Sequence, residues 1–141
     1  MEYEATVCRL DDADYYDGYV TISILVQSLR VYYQTSMEFA LEKLTPGAVI
    51  VVDLWHVWGH AVKADVAQKA FVTSPSLDTA TIRGQVVDVM SLTEFRVDCG
   101  MLIDVDNRDG SEEIAPGDII ETSGCCQIYF PGTEWDKEAV S

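Results

Sequence analysis

The heptad Leu54-Trp55-His56-Val57-Trp58-Gly59-His60 holds both histidines and two of the three tryptophans of the chain. An imidazole titrates close to neutral pH and presents a lone pair, so it can serve as a general base or a metal ligand. On a strand, His56, Trp58 and His60 share one face, but the two imidazoles stand about 13 Å apart and cannot reach one metal ion. Base catalysis by His56 needs a hydroxyl, thiol or carboxylate beside it in space, which residue spacing alone does not supply. Three readings stay open, in this order: a half-buried core strand, a protein interface anchored by Trp55 or Trp58, and an active site.

Carboxylates are the second group with chemical potential. Asp104-Val105-Asp106-Asn107-Arg108-Asp109-Gly110 sets acids at alternating positions before a glycine, as loops that wrap a hard cation do. The match to a helix-flanked calcium loop fails: Arg108, Asp109 and Ala115 stand where an acid or amide, a glycine and a bidentate glutamate are needed. Asn, Asp and Gly are equally the residues of an ordinary hairpin turn. Asp11-Asp12-Ala13-Asp14-Tyr15-Tyr16-Asp17-Gly18 combines four carboxylates with two tyrosines and reads as a loop closed by glycine. It can imitate a row of phosphates with stacking partners, or fold Tyr15 and Tyr16 back over the core. The four cysteines, Cys8, Cys99, Cys125 and Cys126, lack metal-site spacing and read as free thiols of a reducing compartment. The sequence predicts no catalytic residue, no metal and no cofactor.

The background of these residues is strongly acidic. There are 24 Asp and Glu against 9 Lys and Arg, a formal charge of −15, yet 48% of residues are hydrophobic. A chain this apolar can bury enough surface to fold, which separates it from an acidic disordered tail. From Val97 to Asp136 a single basic residue, Arg108, faces ten acidic ones. Such a surface repels a phosphate backbone and attracts a basic partner. It also fits a surface kept acidic for solubility or for high salt. The chain opens Met1-Glu2-Tyr3-Glu4 without a basic start and apolar run, and no apolar stretch reaches the ~20 residues of a membrane helix. A cytoplasmic protein without a membrane span is expected.

Strands must position these residues. Val20 to Val26 and Leu29 to Tyr33 are rich in β-branched and aromatic residues. Ala48 to Trp58, Thr79 to Met90, Glu94 to Val105 and Asp118 to Phe130 read as further strands. Only Ser36 to Leu44 has helical spacing, with Ser36 as cap and Pro46-Gly47 as stop. Glu42 to Ile50 and Glu112 to Ile120 echo each other as an apolar residue, a Pro-Gly turn and a β-rich run. Ala5-Thr6-Val7 and Ala80-Thr81-Ile82 each open a strand. Residues 1–141 are expected to form one compact β domain, either one continuous antiparallel sandwich or two diverged halves, 1–75 and 78–136.

Ile82 to Val89, Phe95-Arg96-Val97 and Pro116 to Gly124 resemble the first, second and late strands of the small five-stranded barrel that binds oligonucleotides or oligosaccharides, the OB-fold. The Ser36–Leu44 helix resembles the one such barrels carry between their third and fourth strands. The resemblance implies a fold class and no particular function. The expectation is therefore an all-β protein, of OB-like small barrels or an antiparallel β-sandwich with one short helix. It binds without catalysing, and its acidic surface engages a basic protein, as immunity or anti-restriction proteins do. Asp11, Asp12, Asp14, Asp17, Asp104, Asp106, Asp109, Glu112 and Glu113 supply the charge, with Tyr15, Tyr16, Trp55, His56 and Trp58 as further binding residues. The alternative is a barrel that binds a small ligand, sugar or peptide within a larger assembly.

Overall fold

The computed structural model describes residues 1–25, 27–74, 79–108 and 110–139. Ten strands and one helix follow in chain order: β1 (Glu2–Ala13), β2 (Asp17–Ile24), β3 (Gln27–Gln34), α1 (Met37–Lys43), β4 (Val49–Val57), β5 (Val62–Lys63), β6 (Ala70–Ser74), β7 (Thr79–Val89), β8 (Glu94–Asp98), β9 (Leu102–Asp106) and β10 (Ile119–Tyr129). The protein is all-β with one short helix, of the small-barrel type. The chain divides into two compact units, neither of them contiguous in sequence. The first comprises Glu2–Leu54 and the chain from Gln127 on, the second Trp55–Cys126 with Met1.

In the first unit β1 pairs antiparallel with β2 and with β4, β2 pairs antiparallel with β3, and β3 runs parallel to the end of β10, Tyr32 opposite Gln127. The strict alternation of β2 turns Gly18, Val20, Ile22 and Ile24 inward and leaves Tyr19, Thr21 and Ser23 half-buried. Across from it Leu29, Val31 and Tyr33 complete the core from β3. The helix forms where expected: the Phe39 N–H donates to Ser36 Oγ at 3.1 Å, and buried Leu44 ends it. Such a cap contributes about 1 kcal/mol.

In the second unit β7 pairs antiparallel with β8 and with β10, β8 with β9, and β9 runs parallel to the end of β4, Asp104 opposite Trp55 and Val105 opposite His56. β10 comes so close to the end of β4 that a Cβ at Gly124 would lie 2.3 Å from the Val57 carbonyl oxygen. Two short strands the sequence reading did not anticipate join here: β5 against β10 and β6 against β7. Each unit thus contains a parallel pairing, which a purely antiparallel sandwich lacks.

With β1, β2, β3, β4 and β10 of the first unit matched to β7, β8, β9, β10 and the end of β4 in the second, one strand order serves both: fourth, first, second, third, fifth, the fifth parallel to the third. β4 gives Val49–Leu54 to the first unit and Trp55–Val57 to the second, while β10 gives residues 119–126 to the second and 127–129 to the first. The Pro-Gly turns recur in detail. The Gly47 N–H donates to Val7 O and the Val7 N–H to Ala48 O; likewise the Gly117 N–H donates to Val86 O and the Val86 N–H to Asp118 O, all at 2.8 Å. Gly47 and Gly117 both take positive φ, +87° and +93°, which glycine alone adopts without strain. Register shifts follow both valines, between Val7 and Arg9 and between Val86 and Asp88. The residue that plays the part of Val7 is therefore Val86, four beyond the Ile82 that the sequence echo suggested.

Two local expectations change. Asp11 to Gly18 is mostly strand: residues 11–13 end β1, Asp17 and Gly18 begin β2, and only Asp14, Tyr15 and Tyr16 lie between. Gly18 is required by close approach, since a Cβ there would sit 1.9 Å from Asp12 O. The run Glu94 to Val105 is two strands, folded back where the Gly100 N–H donates to the Asp98 carboxylate and the Cys99 N–H to Met101 O.

Candidate functional site

At the tip of the β1–β2 hairpin, Tyr15 is 75% and Tyr16 73% exposed, and Asp12 and Asp14 are exposed beside them. The tip is held by short-range bonds. The Asp14 N–H donates to Asp17 O at 2.8 Å, the Tyr15 N–H to the Asp14 carboxylate at 2.8 Å, and the Met37 N–H at the start of α1 to Tyr15 O at 3.1 Å. Two exposed phenol rings with exposed carboxylates beside them thus stand on a fixed turn.

Asp11 and Asp17 are already engaged. Asp11 accepts from Arg9 and from Thr21 Oγ1 at 2.6 Å and lies 3.8 Å from the Arg30 guanidinium. Tyr32 donates to the Asp17 carboxylate at 2.7 Å; burial first, then this bond, raises the phenol above its ordinary range. Burial and the nearby Asp12 and Asp17 push Tyr33 up to about 12. Strand alternation sets Tyr19 and Thr21 of β2 beside Tyr32 and Arg30 of β3. The Tyr19 and Tyr32 rings meet edge to face at 5.5 Å, and Arg30 lies 5.0 Å over Tyr19. The sequence reading passed over this polar and aromatic face, though the alternation that produces it was visible in both strands.

The histidine heptad is divided by the end of β4. His56 is fully buried, and Trp55 and Val57 are buried on either side of it. The His56 Nε2–H donates to Ala80 O at 2.8 Å, which assigns the tautomer because a carbonyl can only accept. Nδ1 is buried with no hydrogen-bond partner among the described residues, and burial holds the imidazole below its ordinary pKa. The strand stops at Val57, and Trp58 takes φ +63° and is 60% exposed. His56 and Trp58 therefore do not share a face, and His56 is cut off from solvent while the exposed His60 lies beyond the strand.

The second acidic cluster is buried at its strand end. Asp104 and Asp106 close β9 and are both buried. Asp104 receives Arg96 Nε at 2.7 Å and the Met1 amine; Asp106 receives the Arg108 guanidinium at 2.7 Å and its backbone N–H at 3.2 Å. This departs from the expectation of solvated charges, because cross-strand pairing with Arg96 offsets the cost of burying a carboxylate. Asp109 lies outside the described residues. Glu112 and Glu113 are exposed, and Glu112 accepts from the Lys63 N–H at 3.0 Å. Among the described residues no three acidic, histidine or cysteine side chains group as metal ligands. Cys8 is exposed, whereas Cys99, Cys125 and Cys126 are buried and unbridged. Burial pushes the Cys99 thiol up to about 11 and raises Cys126 further above its ordinary range, so neither is a thiolate at neutral pH. Among the described residues no helix is long and apolar enough to cross a membrane.

The surface thus offers binding groups in two forms: an exposed acidic and aromatic hairpin tip, and a strand face of tyrosine and arginine. No protein-family model matches the sequence, and comparison with curated proteins gives no match.

Proposed function

We propose that this protein acts by binding, its acidic surface engaging a basic protein partner through the tip of the β1–β2 hairpin. The observation that carries this reading is the pair Tyr15 and Tyr16, exposed at 75% and 73% just after exposed Asp12 and Asp14. Tyrosine combines a large apolar area with few rotors, which makes it a frequent anchor of interfaces. The carboxylates beside it steer a basic surface toward the tip, and the net charge of −15 extends that attraction over a Debye length. Glu112 and Glu113 add to the same field. An immunity or anti-restriction protein, which occupies a basic site on its target, fits this arrangement. The field opposes nucleic acid, and the unbridged thiols favour a cytoplasmic setting. The repeated turn and register shift support reading the two units as diverged copies of one barrel.

The test is salt-stepped affinity capture from source lysate, run in parallel with wild type and with a variant carrying Asp12→Asn, Asp14→Asn, Tyr15→Ala and Tyr16→Ala. A stoichiometric basic protein, held by wild type, released by salt and lost from the variant, supports the reading. Equal retention by both proteins removes the hairpin tip from the interface.

A second reading is favoured by the face of Tyr19, Tyr32 and Arg30: a barrel that takes a small ligand, sugar or peptide. It requires binding that is insensitive to salt, in contrast to the first.

A further inference from the structure

Within the first unit, Phe39 and Lys43 of α1 face Ile50 and Val51 of β4 and the segment Phe130, Pro131 and Thr133 across a recess of about 220 Å³. The rings of Phe39 and Phe130 meet at 5.1 Å, inclined by 57°. Pockets for drug-sized molecules run to roughly 300–1,000 Å³, so this one suits a smaller body, a single ring or a short chain. We propose that the recess binds a short carboxylic acid with an apolar body, its hydrocarbon against Phe39, Ile50, Val51 and Phe130 and its carboxylate at the Lys43 ammonium. The proposal is independent of the hairpin tip and of any protein partner.

Charge and hydrogen bonding select this class. Lys43 is the one charged residue among the described residues that line the recess. Thr133 is committed elsewhere: its hydroxyl donates to Phe130 O at 2.6 Å and accepts from the Trp135 N–H at 3.0 Å. Orientation of an occupant therefore falls to Lys43, which excludes a cation and gives an acid an advantage over a neutral molecule. Its present partner is Glu42, 3.6 Å away on the exposed side of the helix. A pair of that kind is worth little and yields readily to another carboxylate. A net charge of −15 disfavours multiply charged anions, which leaves a monoanion.

The experiment is an NMR titration of the whole protein at fixed ionic strength with 3-phenylpropionate, and separately with its neutral analogue 3-phenylpropan-1-ol. Saturable shifts should be confined to Phe39, Ile50, Val51 and Phe130, with a Kd for the acid on the order of 1 mM, as ordinary ligand efficiency gives for so small a molecule. The alcohol should bind roughly threefold to fivefold more weakly, the worth of one exposed ionic contact. Lys43→Gln should bring the acid down to the level of the alcohol and leave the alcohol unchanged. Val51→Trp, at a position already exposed to solvent, should fill the recess and abolish binding of both. Equal affinity for acid and alcohol, indifference to Lys43→Gln, or shifts located elsewhere would each overturn the proposal. So would the absence of saturable shifts. Lys43→Gln alters no packed side chain, so it decides the matter even if Val51→Trp unfolds the protein.

Discussion

The two units use one set of strand positions for different side-chain chemistry. Val20 and Val31, Ile22 and Leu29 face each other in the first unit as Phe95 and Val105, Val97 and Ile103 do in the second, and all eight are buried. Between these inward pairs the outward pairs differ completely. Tyr19 opposite Tyr32 becomes Glu94 opposite Asp106, and Thr21 opposite Arg30 becomes Arg96 opposite Asp104. Arg9, after the register shift of β1, becomes Asp88 in β7. The barrel is specified by apolar alternation, the shift after one valine and a Pro-Gly turn. The remaining positions are free to carry aromatic rings with an arginine in one unit and mostly carboxylates with an arginine in the other.

The strongest way to sharpen this contrast is to remove one partner at the position the units treat differently. Asp104→Leu should cost about 3 kcal/mol in urea unfolding, because it leaves Arg96 facing a site built for a charge pair. Arg30→Leu, at the matching position, should cost about 1 kcal/mol, since its neighbour Asp11 keeps Arg9 and Thr21. Equal losses would mean that the two faces do the same structural work. Next come the positions the units treat alike: Val7→Ala and Val86→Ala should each lose about 2 kcal/mol, the usual cost of emptying a buried aliphatic site. A loss at one valine more than double that at the other would break the equivalence. Ser36→Ala probes what the first unit has and the second lacks among the described residues, a helix before the fourth strand, and should lower stability by about 1 kcal/mol.

The smallest effect is a pH dependence that comes from His56 in the second unit. Burial keeps His56 below its ordinary value of 6.5 in the folded chain. The unfolded chain therefore takes up a proton first as pH falls through 6.5. Stability is complete above that value and declines below it until the folded-state pKa is reached. Comparing urea midpoints at about pH 7.5 and about pH 5.5 should show this decline in wild type and a shallower one in His56→Gln. Identical slopes would place the acid sensitivity elsewhere.

Much of the fold was legible because it is written in local signals. Ser36 and Pro46-Gly47 mark the two ends of α1, and the β-branched runs mark β2, β3, β4, β7 and β10. Even the repeated turn shows in the sequence. The offset between Val7 and Val86 was hidden, because it depends on cross-strand register and not on which residues open a strand. The candidate sites were less legible. Asp104 looks like a solvated acid until Arg96, eight residues before it, is brought across from β8. Period-two reasoning placed His56 with Trp58, and a single residue with positive φ undid it. Phe39 and Lys43 meet Phe130 and Thr133 only through the fold, a separation along the chain that no motif spans.

The division of β4 and β10 between units bears on how the chain can be made. Tyr32 and its neighbour Gln127 stand 95 positions apart in the sequence, so neither unit has its full set of strands until β10 has left the ribosome. During synthesis β3 waits with an unpaired edge, a template for strands of other chains. Long-range pairing of this kind is slow to find. The acidic surface that we assign to partner recognition also keeps nascent copies of the chain apart during that interval, since like charges repel before their open edges can meet.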